Sequence, residues 1–177
     1  MIIILAGLPG TGKSTLARAL AHRLNGAVLD KDVIRAALFE PGRVEYSPQQ
    51  DDFVQEMMLQ SAGWLLERDP SMTVLLDGRT FSRRYQRERA IGFCAEIGAK
   101  WAMIECVCAE GTTVRRLAEA IAQGTHPAAN RTPQLYCEVR TAWEPIEEPR
   151  LVIDTDEPLK RCVEKVLAHL HRPDAVR

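Results

Sequence analysis

The stretch Gly7-Leu8-Pro9-Gly10-Thr11-Gly12-Lys13-Ser14-Thr15 fits the phosphate-loop pattern G-x-x-x-x-G-K-[ST]. Outward from it, Met1-Ile2-Ile3-Ile4-Leu5-Ala6 is an apolar, β-branched run that predicts a strand buried on both faces of a parallel sheet. Leu16, Leu20 and Leu24 then recur at helical spacing, which predicts a helix on the other side. Glycines between the two elements let backbone N–H groups turn onto phosphate oxygens at a helix N-terminus. Gly7, Pro9, Gly10, Thr11, Gly12, Lys13, Ser14 and Thr15 are therefore expected to hold a nucleotide. Lys13 would bring a charge to the β- and γ-phosphates, and Ser14 a hydroxyl to Mg²⁺. The competing reading is an ordinary Gly-rich turn, but a chance match in a chain this long is on the order of 1%.

The chain has 177 residues, with 23 Lys and Arg against 24 Asp and Glu and a formal net charge of −1. Residues 1–177 read as a single domain able to bury a sizeable core without disulfides or metal. Balanced charge argues against coating of a duplex, so the expected partner is a small molecule or a nucleic-acid end. The N-terminal apolar run is too short for a signal peptide and no later stretch is long enough to span a membrane, so a soluble, cytoplasmic protein is expected. Its oligomeric state is left open. Cys94, Cys106, Cys108, Cys137 and Cys162 show no zinc spacing and read as buried, reduced thiols.

Further along, Ala27-Val28-Leu29 predicts a short strand running into Asp30-Lys31-Asp32-Val33-Ile34-Arg35. Ligands of open parallel sheets bind outside the carboxyl ends of strands, so one of Asp30 and Asp32 can face a metal while the other faces an acceptor hydroxyl, or either can simply cap the next helix. Ser47-Pro48-Gln49-Gln50 reads as a helix start, with Phe53, Met57, Ser61, Trp64 and Leu65 as a core stripe and an end at Arg68. Thr73-Val74-Leu75-Leu76-Asp77-Gly78 is a strand delivering an aspartate to the same sheet edge. In that place Asp77 would hold Mg²⁺ through water.

Arg79, Arg83 and Arg84 enter the next helix, for which Ser82 is the expected cap. Arginine in a first helical turn opposes the macrodipole unless an anion lies nearby, so Arg79 and Arg83 are candidates for substrate binding. A solvated helix face is the alternative, and Arg87 and Arg89 are left to it. Trp101 to Cys108 predicts a fourth strand, followed by a helix capped at Thr112 or Thr113 that carries Arg115 and Arg116. Residues 122–133 are rich in turn formers and read as a short lid, from which Arg131 would reach the transferring phosphoryl group. His126 reads there as a loop residue. Arg150 to Thr155 predicts the fifth strand, and Val163, Val166, Leu167 and Leu170 give the last helix its buried face.

Together Gly7 to Ala17, Asp32-Val33-Ile34-Arg35, Leu75-Leu76-Asp77-Gly78 and Leu151-Val152-Ile153-Asp154-Thr155 resemble the zeta-toxin/AAA_33-type phosphate-loop kinases. Relatives of that group include chloramphenicol phosphotransferase, shikimate and gluconate kinases and a polynucleotide 5′-hydroxyl kinase. The resemblance covers nearly the whole chain. It implies an α/β three-layer P-loop NTPase fold with a five-stranded parallel sheet ordered 2-3-1-4-5. It also implies ATP with Mg²⁺, and γ-phosphoryl transfer to a hydroxyl. By the same resemblance Asp32 matches the general base, Arg35 the group holding an acceptor's anionic or polar part, and Arg116 a lid-helix arginine. A second lid arginine of the pattern falls at Ala120, so Arg131 is the expected substitute. Thr155 would lie near the adenine. The leading function is an ATP- and Mg-dependent kinase of a small hydroxylated molecule. The alternatives are a nucleic-acid 5′-hydroxyl kinase and a nucleotide-dependent switch.

Overall fold

The computed structural model describes residues 1–123 and 132–172. Strand β1 (Ile2–Ala6) is buried along its whole length because its alternate side chains enter two different cores. Ile3 and Leu5 join Leu16, Ala17 and Leu20 of helix α1 (Lys13–Ala21) on one face. Ile2, Ile4 and Ala6 meet the cluster containing Val54, Met58 and Ala62 of helix α3 (Pro48–Arg68) on the other. A strand covered on both sides needs apolar residues at every position, which explains the unbroken run.

Strands β2 (Gly26–Asp30), β3 (Thr73–Asp77), β4 (Trp101–Val107) and β5 (Leu151–Asp154) complete a five-stranded sheet in the order β2-β3-β1-β4-β5. Every neighbouring pair is parallel. The sheet order implied by the sequence is thus observed. Helix α4 (Arg84–Glu96) lies with α3 on one face, contributing Ala90, Phe93 and Cys94. Helix α7 (Leu159–Leu170) lies with α1 on the other, contributing Cys162, Val163 and Val166. Helix α2 (Lys31–Leu38) follows β2 directly, α5 (Glu110–Gln123) follows β4, and α6 (Pro133–Thr141) precedes β5. Among the described residues no helix is long and apolar enough to cross a membrane.

Several local expectations are corrected. Helix α3 begins on the Ser47 cap, which accepts from the Gln50 amide, and ends at Arg68 as predicted. Its inner stripe, however, is Val54, Met58, Leu59, Ala62 and Leu66, while Phe53 and Trp64 are 49% and 55% exposed. Helical spacing alone cannot choose between two overlapping apolar stripes, and the sheet takes the one built of aliphatic side chains. The Phe53 ring instead meets Phe39 edge-on, and Trp64 lies under the Arg68 guanidinium. Helix α5 starts at Glu110, so Thr112 and Thr113 lie inside it rather than capping it. Cys94, Cys106 and Cys162 are buried as expected, with burial pushing the Cys94 thiol up to about 11 and Cys106 to about 12, whereas Cys137 is exposed. The expected lid, with Arg131 and His126, falls outside the described residues except for its two ends, 122–123 and 132–133.

The start of α4 departs most instructively. Ser82 does not cap it; the Glu144 carboxylate accepts from the Arg84 amide across sixty residues and also holds the Arg83 guanidinium. Arg84 pairs with Glu147, and Arg87, fully buried, pairs with Glu148 through Nε at 3.1 Å. Arg87 also donates to the carbonyls of Phe81 and Pro145 at 3.0 Å each. The anions that relieve the helix dipole are therefore the chain's own acidic run, which is strapped to α4. Arg87→Met should leave Glu148 and two carbonyls without their donor and destabilise the fold by about 3–5 kcal/mol. A urea midpoint lowered with an unchanged slope would report it.

Candidate active site

Beyond β1 the chain must turn at once, and Gly7 permits it with φ of 143° while its α-carbon passes beneath the Cys106 carbonyl. A Cβ there would sit 2.4 Å from that oxygen, so no other residue fits. Gly12 caps α1 in the left-handed region at φ 79°. Leu16 is the first to donate back along the helix, to Gly12 O at 3.0 Å. The amides of Lys13, Ser14 and Thr15 precede that bond, in the first turn, where the helix itself supplies no acceptors. They form the positive end of a helix dipole opening onto the loop. Lys13 folds over the same loop, its Nζ donating to Gly7 O and Leu8 O at 2.8 Å each, and Thr11 Oγ1 donates to Leu8 O. Pro9 and Gly10 form the outer turn, Ser14 is half-buried at the helix start, and Thr15 is exposed.

On the neighbouring strand Asp77 is 1% exposed, and neither of its carboxylate oxygens has a hydrogen-bond partner. An ionised carboxylate held this way needs a cation. Its parallel partner in the sheet is Asp30, whose carboxyl is pushed up first by burial and then by the charge of Asp77. Asp30 also caps α2, Oδ1 accepting from the amides of Asp32 and Val33 at 2.9 and 3.3 Å. Both of its sequence readings are compatible with this position, and the capping one is made. Mg²⁺ commonly takes one or two carboxylates and completes its shell with water and phosphate oxygens. The orphaned Asp77 carboxylate beside the loop carrying Ser14 fits that requirement.

A cavity of about 110 Å³ opens beside these groups, lined by Pro9, Lys13, Asp32, Arg35, Tyr46 and Arg79 among others. Asp32 accepts from Arg35 Nη1 at 3.0 Å and lies 3.7 Å from Lys31 Nζ, and the Arg35 guanidinium stacks on Tyr46 at 5.1 Å. Two acids on α3 that sequence reading passed over complete the wall. Asp51 takes Lys31 at 2.8 Å and also Arg35, and its backbone carbonyl accepts from Arg79 at 2.6 Å. Asp52 takes the other end of Arg79. The sequence signal was present in the adjacent acids near the start of α3, but only the fold shows that this end of the helix faces α2. Arg83, held by Glu144, does not line the cavity.

On the other side of α1 a second cavity, of about 290 Å³, is lined by Gly12, Thr15, Leu16, Arg116, Thr155 and Glu157 among others. Arg116 donates to Thr155 Oγ1 at 3.0 Å and Thr155 O at 2.8 Å, and Thr155 Oγ1 donates to Thr11 O at 3.0 Å. Arg116 and Thr155 are thus wired to the loop as a unit. The two cavities flank one glycine-rich turn.

Comparison with known proteins agrees with this architecture. The sequence profile of the AAA_33 family, described as an AAA domain, matches residues 2–135. Among solved structures the chain is similar to a candidate kinase from Chloroflexus aurantiacus, with 25% identity over 96% of this chain and 98% of that one and a TM-score of 0.74. It is similar to the Mycobacterium tuberculosis APS kinase solved with AMPPNP and APS, at 19% identity over 97% of each chain and a TM-score of 0.71. A gluconokinase from Sinorhizobium meliloti is 17% identical, over 94% of this chain and 89% of that one, with a TM-score of 0.64. No curated protein matches the sequence. A profile that runs from β1 into α6, on a parallel sheet ordered as in P-loop kinases, shows that the chain belongs to the AAA_33 family.

Proposed function

We propose that the protein is an ATP- and Mg²⁺-dependent kinase that moves a γ-phosphoryl group to a hydroxyl of a small molecule. The observation that carries the reading is the placement of Asp32, in a cavity that also reaches Lys13 of the phosphate loop. A switch that only binds and hydrolyses nucleotide has no need of a second, carboxylate-bearing cavity at this point. The narrowness of that cavity, about 110 Å³, favours a small acceptor over a polynucleotide end. The kinase neighbours, one of them solved with AMPPNP, support the nucleotide half of the reading. We read residues 1–177 as one such domain, working in the cytoplasm, with a lid at about 122–133.

The amides at the start of α1 and Lys13 would gather the β- and γ-phosphates, and Thr155 would lie against the adenosine. A metal held by Ser14 and Asp77, with Asp30 beside it, would supply charge neutralisation on the triphosphate when bound. In the transfer the acceptor oxygen bonds to the γ-phosphorus as the bond to the bridging oxygen breaks. ADP leaves, and the hydroxyl proton passes to Asp32. Arg35 and Arg79 would orient the acceptor, while Arg83, held by Glu144, takes no part. Arg116 or Arg131 would meet charge on the moving phosphoryl group. Such catalysis is positioning and electrostatics, and its base contributes about 10²- to 10⁴-fold.

ATP consumption followed by ³¹P NMR against a panel of hydroxylated acceptors tests the reading directly. A new phosphate-ester resonance is expected, while phosphate release indifferent to every acceptor would overturn it. Asp32→Asn should lower turnover by about 10²- to 10⁴-fold and leave nucleotide affinity within about twofold, because the side chain serves the acceptor side. Equal losses in both would remove Asp32 from the chemistry.

Asp77→Asn separates stability from function. The ligand-free protein should become more stable by about 1 kcal/mol, since a buried carboxylate without partners gives way to a neutral amide. The rise in melting temperature on adding Mg²⁺ with a non-hydrolysable ATP analogue should shrink in the same variant. An unchanged rise would show that Asp77 does not serve the metal.

A further inference from the structure

The kinase reading sets the adenosine against Thr155, in the cavity of about 290 Å³ on the far side of α1. One base is told from another by the donors and acceptors along its edge, so what this wall leaves uncommitted decides what it reads. Among the described residues the turn that follows β5 leaves little. The Thr155 amide donates to Val107 O at 2.8 Å and its Oγ1 to Thr11 O at 3.0 Å. The Asp156 amide donates to Asp154 Oδ1 at 2.9 Å, and its carboxylate accepts from the Ala109 amide at 2.7 Å. Glu157 spends its amide on Asp154 O and its two carboxylate oxygens on Lys165 at 2.6 Å and Arg161 at 3.2 Å. Pro158 has no N–H to give, and the Cys162 thiol donates to Asp154 O at 3.3 Å.

Two polar side chains of the wall remain, Arg116 and Thr15. Arg116 donates through Nη1 to Thr155 Oγ1 at 3.0 Å and through Nη2 to Thr155 O at 2.8 Å. The forked end of the guanidinium is thus turned to Thr155, and its flat faces are left for a ligand. Such a face stacks on any aromatic ring and does not read its edge. The Thr15 hydroxyl rotates to donate or to accept, so it meets either purine alike. At the mouth Thr15 is exposed and Leu159 is 42% exposed, which lets the exocyclic groups of either base stay hydrated. A site that leaves those groups in water has no unpaired partner with which to reject the wrong base.

Resting on the kinase reading above, we propose that the donor site takes adenine and guanine nucleoside triphosphates with comparable affinity, the Arg116 guanidinium, locked by Thr155, being the platform that both bases share. Affinity comes from the triphosphate and from stacking. ATP is then one of two donors, and the base edge carries no part of the choice.

The test is binding to the whole chain with Mg²⁺, read by calorimetry and by the rise in melting temperature, so it needs no acceptor. The probes are the non-hydrolysable analogues AMP-PNP and GMP-PNP and, as a probe without a base, inorganic tripolyphosphate. The two analogues should show dissociation constants that agree within about tenfold, whereas a site that hydrogen-bonds the distinguishing group of one base separates them by about 10⁴-fold or more. A gap wider than about tenfold in either direction overturns the proposal and leaves the kinase reading standing, since one nucleotide still binds. Arg116→Ala should weaken both analogues by about tenfold or more, the scale of one lost stack, and leave the affinity for tripolyphosphate unchanged. A loss shared by tripolyphosphate, or a shift in the ratio of the two analogues, overturns the role of Arg116. Failure of the folded wild-type protein to bind either analogue overturns the kinase reading and this proposal with it.

Discussion

The close pass of Gly7 beneath the Cys106 carbonyl is the constraint on which the functional edge depends. With a Cβ forbidden there, β1 can lie tight against β4 and release its chain straight into a loop whose amides converge at Gly12. Lys13 holds that loop from inside through Gly7 O and Leu8 O, and Thr155 holds it from β5 through Thr11 O. One turn thus ties strands β1, β4 and β5 to the start of α1. The shape of the loop is set before any ligand enters, which is how a binding site avoids ordering costs at the moment of binding.

A second consequence of the parallel sheet is the pairing of Asp30 with Asp77 at the ends of β2 and β3. Burial and mutual repulsion disfavour this arrangement, and nothing in packing requires it, since apolar residues would serve a strand end equally well. The conflict resolves if a cation and phosphates complete the edge. Asp30 shows how one residue answers two demands. Its Oδ1 secures α2 through two amides, and in doing so it keeps Asp32, two residues on, in the wall of the cavity beside the phosphate loop.

Legibility in the sequence followed the range of the interactions. The strand, the loop and the helix cap at Ser47 rest on contacts within a few residues, and all three were readable. The five-strand order followed from resemblance alone. The arginines of α4 were not readable. Their partners Glu144, Glu147 and Glu148 lie about sixty residues away, and no local pattern distinguishes an arginine awaiting phosphate from one awaiting glutamate. Trp64 failed for a related reason, because helical periodicity reports that a face is apolar and not which of two apolar faces meets the sheet. Asp51 and Asp52 were hidden in plain view, as acids near the start of a helix are also what the macrodipole favours.

These cases share one physical distinction. The phosphate loop is built from backbone geometry, which glycine spacing records directly, whereas the cavity beside it is walled by side-chain ion pairs between α2, α3 and the exit of β3. Ion pairs carry no sequence spacing, and swapping which acid meets which base leaves local patterns untouched. A phosphate loop can therefore stay unchanged while the wall beside it is rewritten by a few charge changes. Arg79 illustrates the point: buried at 2% exposure, it is held by Asp52 and by a carbonyl of the same helix turn. Moving that turn by one residue would put Asp51 or Phe53 where Asp52 now meets it. The ion pairs of this wall accordingly depend on the register of α3 against α2, and the aliphatic stripe Val54, Met58 and Ala62 seats α3 on the sheet.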